Sequence, residues 1–147
     1  MKHLIWKLVL PMTIISFVIF TKWYYVEVVD GAYEILTGFP VPYMCPCWHT
    51  SLCLQIFVSG LLIDILTYLA FWLTITFILN KFVVRIKLNK TVTLILLSLS
   101  GLLFAGMIFM GSLSDNIYTW NREFEIKKLE TGYKFIWEKQ PLPDYNK

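Results

Sequence analysis

Residues 23–36 read WYYVEVVDGAYEIL, and whether they form a loop or a strand decides the architecture of the chain. Apolar and polar residues alternate only loosely there. The stretch therefore reads either as a prolongation of a preceding helix or as a short extended piece before Asp30-Gly31, a turn signal. Just beyond it, TGFPVPYMCPCW (residues 37–48) carries Pro40, Pro42 and Pro46, which exclude regular helix and central strand. The expectation is a stiff loop lying along a membrane surface, with Phe39, Tyr43 and Met44 dipping into it.

The membrane enters because the flanking sequence is so apolar. The 147 residues are 57% hydrophobic and only 16% charged, against roughly a quarter charged in soluble domains. Between Thr50 and Leu79 the only ionisable side chains are Cys53, Asp64 and Tyr68, and between Thr91 and Ser114 there are none. Both runs exceed the roughly 20 residues that cross a hydrocarbon core of about 30 Å as a helix. A third stretch, residues 4–21, reaches that length if Lys7 snorkels to the headgroups; Pro11 falls in its first turns, where its missing N–H costs least. No small-x-small site follows it, so it reads as an uncleaved signal-anchor rather than a signal peptide.

Charge sets the orientation. The segment between residues 80 and 90 carries Lys81, Arg85, Lys87 and Lys90 without an acid, and the head of the chain adds Lys2 and Lys7. Residues 22–50 hold Lys22 against Glu27, Asp30 and Glu34. The positive-inside rule then places the N-terminus and residues 80–90 in the cytoplasm, and residues 22–50 and the tail outside. The predicted fold is an all-α membrane protein of the cytoplasmic (inner) membrane. It has three spans at about 4–21, 51–79 and 91–113, an extracytoplasmic loop at 22–50 and a cytoplasmic loop at 80–90. An extracytoplasmic tail, 114–147, follows. In that tail Ser114, Asp115 and Asn116 predict a capped short helix, and the alternation around Thr131-Gly132 predicts a hairpin.

Chemistry-bearing residues are few. Cys45, Cys47, His49 and Cys53 fall within nine positions and have the composition of a Cys3His zinc site, while closely spaced thiols also suit copper(I). The one-residue gap across Pro46 is poor for zinc, so cysteines with neither a bond nor a metal, and no other cofactor, are the leading expectation. A disulfide joining Cys53 to Cys45 or Cys47 is the next. Asp64 stands mid-way along the second predicted span, with Gly60 and Tyr68 one turn to either side. It reads as a neutral hydrogen-bonding group between helices, with Ser98 or Ser100 as partner, and on that reading Asp64→Asn should behave like wild type. A proton or ion role is the alternative. Gly101 and Ala105 form a small-x3-small face for helix packing, and Gly60 is a further packing residue on the second span. No phosphate loop or metalloprotease motif occurs, and the basic residues 81–90 suit anionic lipid headgroups rather than nucleic acid.

GFPVP (Gly38–Pro42) followed by LLIDILTYLAFWL (Leu61–Leu73) resembles small uncharacterised prokaryotic multi-pass membrane proteins. In these a Gly-(Phe/Trp)-Pro-x-Pro outer loop precedes a helix carrying Ile-Asp and aromatic residues. The resemblance implies a prokaryotic cytoplasmic membrane and no activity, and the Cys-Pro-Cys segment departs from it. The function expected is that of a non-catalytic accessory or structural subunit, with lipids and other membrane subunits as partners. A redox or metal protein using the cysteine cluster and an oligomeric transporter using Asp64 are the competing readings.

Overall fold

The structure, a computed structural model, describes residues 4–29, 33–47, 53–83, 89–122 and 124–138. It corrects the all-α expectation: three helices are accompanied by a six-stranded sheet. The strands are β1 (Phe20–Val28), β2 (Tyr33–Thr37), β3 (Met44–Pro46), β4 (Leu54–Phe57), β5 (Ile117–Thr119) and β6 (Ile126–Phe135). The helices are α1 (Ile5–Ile19), α2 (Val58–Ile78, prolonged by a π-wound turn, Leu79–Val83) and α3 (Lys90–Gly111).

The chain divides into two compact units, one of helices (1–18 and 65–112) and one built on the sheet (19–64 and 113–147). In the sheet unit the strand order is β5-β4-β3-β2-β1-β6. β1 to β4 form an antiparallel meander, β6 adds antiparallel to β1, and β5 pairs parallel with β4. The expected outer loop is thus mostly sheet. Its loose alternation has a physical cause: Tyr24, Tyr25 and Val26 are consecutive and all buried, so both faces of β1 are covered and the period of two is lost.

β5 and β6 are consecutive in sequence yet lie on opposite edges. A flat sheet of six strands would be about 24 Å across, five spacings of about 4.8 Å. In the link between them, Phe124 and Glu125 instead lie against the core and β1. Phe124 packs edge-on to Phe57 of β4 at 5.9 Å, and the Glu125 carbonyl accepts from the Val29 amide at 3.2 Å. The sheet is therefore curled around one cluster: Tyr24, Val26, Val28, Leu36, Cys45 and Phe57, with Phe124 and Ile126 against it.

The tail departs from the expected helix and hairpin. Asn116 does not cap a helix; its Oδ1 accepts from the Leu54 amide at 3.1 Å and fixes the start of β5 beside β4. Thr131-Gly132 does not turn, because both residues continue β6 in register with β1. Gly132 lies opposite Trp23, and a Cβ there would come within 2.7 Å of the indole ring. The glycine makes room for an aromatic neighbour rather than a turn.

In the helical unit, α1 has 15 residues and a length of about 22 Å, short of the expected 4–21 span. Its first turn is π-wound ahead of Pro11, the Leu10 amide reaching back to the Ile5 carbonyl. The second predicted span began too early, since residues 54–57 are strand and the helix starts at Val58. Among the described residues, α2 with its π turn (Val58–Phe82) and α3 are long and apolar enough to cross a membrane. Trp72 Nε1 donates to Ser16 Oγ at 2.9 Å, and Tyr68 meets Phe17 edge-on at 5.9 Å, tying α2 to α1.

Gly132→Val should destabilise the sheet unit by about 1–3 kcal/mol through overpacking against Trp23. In a Trp23→Leu background the same change should cost much less. Denaturant unfolding in detergent reads the cycle, and equal penalties in both backgrounds would refute the pairing.

Candidate functional site

Buried polar groups come together at the turn after β2. Gly38-Phe39-Pro40-Val41-Pro42 contains two prolines with no N–H to donate, and the Phe39–Pro40 bond is cis. The amides that remain are all accounted for. Gly38 N–H donates to the Lys22 carbonyl at 2.9 Å and Tyr43 N–H to the Thr37 carbonyl at 2.9 Å. Phe39 N–H donates to Asp64 Oδ2 at 2.5 Å, and Val41 N–H to Asp64 Oδ1 at 3.1 Å. The x-Pro-x-Pro spacing leaves two donors on alternate residues, and one carboxylate has two oxygens to meet them.

Asp64 is only 1% exposed. It lies in the second turn of α2, and Gly60, one turn earlier on the same face, prepares the approach. A Cβ at Gly60 would stand 3.0 Å from the Pro42 carbonyl oxygen and 3.2 Å from Tyr43. Glycine therefore lets the helix come down onto the turn so that Asp64 can reach it. At Gly38 the backbone has φ +153°, and a Cβ would fall 2.2 Å from the Val41 oxygen. From the sheet side, Tyr24 Oη donates to the Pro40 carbonyl at 2.7 Å, and Phe57 N–H donates to the Tyr43 carbonyl at 2.7 Å. The turn is gripped by β1, β4 and α2 at once.

Two phenols beside this carboxylate are held protonated. Burial, and then the Asp64 charge, push Tyr43 up to about 12. Tyr24 is raised by burial first, then by Asp64 and Tyr133, which keeps its hydroxyl a donor to Pro40. Lys22 Nζ lies 4.9 Å from the Tyr24 ring centroid and 5.5 Å from that of Tyr133, placing a cation on the rim.

The expected partner of Asp64 differs from the one found. Ser98 Oγ donates to the carbonyls of Leu94 and Ile95 and Ser100 Oγ to that of Leu97, all within α3. Tyr68 is buried in the helical unit against Phe17. Gly101 and Ala105 are exposed, and a Cβ at Gly101 would meet nothing within 4 Å. Phe39 was expected to dip into a membrane surface, and the sequence assigned no role to Val41 or to the Tyr24 hydroxyl. The available signal was the pair of prolines that isolates two amides.

The cysteines separate into two states. Cys47 and Cys53 form a disulfide, and the Cys47 amide donates to the Cys53 carbonyl at 3.0 Å, closing the β3–β4 connection. Cys45 is free and buried in the core of the sheet unit, its thiol pushed up to about 12 by burial and then by the charge of Glu34. A neutral buried thiol is a poor nucleophile and a poor metal ligand. His49 lies outside the described residues, and among those described no group of three His, Cys, Asp or Glu could hold a metal ion. No protein-family model, curated protein or solved structure matches this chain.

The geometry leads to a different expectation for Asn at position 64 from equivalence with Asp. An amide has one acceptor oxygen, and its NH2 would face the second N–H. Asp64→Asn should cost about 1–3 kcal/mol and Asp64→Leu, which strands both amides, roughly twice that. Denaturant unfolding followed by tryptophan fluorescence measures both. An Asn variant within about 0.5 kcal/mol of wild type would contradict the clamp, since that is the size of an inconsequential surface change.

Proposed function

We propose that this chain is an integral membrane protein serving as a non-catalytic subunit of a larger membrane assembly. The reading rests on the outward apolar surface of α2 and α3. Their most apolar windows have mean hydropathies of 2.0 and 2.3 but are only 17% and 6% buried inside the chain. Leu66, Phe71, Leu94, Leu102 and Phe109 are each more than half exposed, which in water would form a large apolar patch. Lipid or neighbouring helices satisfy such a surface, and the open Gly101–Ala105 face permits close helix approach. The commitment of Asp64 to two backbone amides favours this structural role over proton or ion transport.

For location, we propose the cytoplasmic membrane with the N-terminus inside and the tail outside, the 15-residue α1 crossing as a third, short span by snorkelling of Lys7 and local thinning of the bilayer. The six strands share one sheet, so they belong on one side of a membrane. The Cys47–Cys53 disulfide suits the oxidising side. The helical unit holds Lys2, Lys7, Lys81, Arg85, Lys87 and Lys90 and no acid, which suits the cytoplasmic end.

In intact cells, an impermeant thiol reagent should label a Trp120→Cys variant and spare an Ile86→Cys variant; the reverse pattern would refute the orientation. In mild detergent the wild-type chain should migrate in a species larger than one chain. Gly101→Leu should shift it to the single-chain position, and a solitary wild-type chain would contradict the subunit role.

A further inference from the structure

The geometry points to a binding site in the helical unit for an anionic phospholipid, with one acyl chain between α1 and α2 and the phosphate beside Lys81. This inference rests on the membrane reading above. A cavity of about 330 Å³ is walled by Leu4, Ile5 and Val9 at the start of α1 and by Leu73, Thr76 and Phe77 near the end of α2. That volume is within the range of about 300–1,000 Å³ typical of small-molecule sites. Its walls are nearly all hydrocarbon. Water there would find few hydrogen-bonding partners, whereas a methylene chain loses nothing on entry.

Charge completes the site. Lys81 Nζ lies 5.4 Å from the ring centroid of Phe77, itself a wall of the cavity, and 5.3 Å from that of Phe82. The ammonium is thus held over the apolar wall. Lys7 is exposed on the same first turns of α1 that supply Leu4 and Ile5. No Asp or Glu occurs in residues 1–26 or 65–114, so the helical unit has no carboxylate of its own to neutralise these cations. An apolar slot with the Lys81 ammonium over one wall, in a unit without a carboxylate of its own, matches the two halves of an anionic lipid, and basic pockets between membrane helices bind such headgroups.

The test uses the full chain in nanodiscs of phosphatidylcholine with phosphatidylglycerol as the minor component, and native mass spectrometry to identify retained lipid. Retained phosphatidylglycerol should be enriched about fivefold over its bulk proportion, the effect of one surface lysine on an anionic lipid. Lys81→Gln, an exposed change that leaves the cavity intact, should keep bound lipid but lose the enrichment. Leu73→Trp should fill the slot and abolish retention. Retained lipid that mirrors the bulk mixture, or enrichment untouched by Lys81→Gln, would overturn the site. If alkaline extraction instead released the chain from native membranes, the membrane reading itself would fall and the lipid site with it.

Discussion

The carboxylate of Asp64 is the point at which a helix, a turn and a curled sheet are joined. Within Phe39-Pro40-Val41-Pro42 only two amides exist, and the carboxylate takes both. Buried N–H groups must be satisfied, and prolines have already removed the alternatives that a longer hydrogen-bonded loop would offer. Hydrogen bonds to a charged group are worth about 1.5–3 kcal/mol each, so this pair is a substantial share of a total stability of about 5–15 kcal/mol. The turn then sets the β2–β3 connection through Tyr43 N–H to Thr37, and the β4–α2 junction through Phe57 N–H to Tyr43. Three elements distant in sequence share one anchor.

The surrounding residues are chosen around that anchor by size as much as by polarity. Gly38 and Gly60 lack the side chains that would separate the turn from itself and from α2. Tyr24 serves twice, its ring in the core cluster and its hydroxyl on the Pro40 carbonyl. Thr13 and Trp72 also find partners within the chain: Thr13 donates to the Val9 carbonyl, and the Trp72 indole to Ser16. These groups are committed to internal bonds, while the outward surface of α2 and α3 is apolar and exposed.

Much of the helical unit was legible in the sequence because charge-free runs carry their meaning locally; α3 was expected at 91–113 and spans Lys90–Gly111. The sheet was not, for reasons that particular residues make plain. β1 is covered on both faces at Tyr24, Tyr25 and Val26, so it lacks the alternation that marks a half-buried strand. β3 is three residues between prolines and a disulfide, too short to carry a period. β5 and β6 are defined by partners some 60 to 115 residues earlier, which no local window contains. The two motifs GFPVP and LLID were each visible, as was the oddity of a buried acid. Their contact, across 23 and 25 residues, was invisible.

Amide hydrogen exchange at Phe39 and Val41 tests the central claim most directly. If Asp64 holds both, these two amides exchange as slowly as those paired between β1 and β2 in the wild-type chain. In Asp64→Ala they become fast while the β1–β6 pairing stays protected. Rapid exchange at Phe39 and Val41 in the wild type, or protection that survives the loss of the carboxylate, would contradict the account.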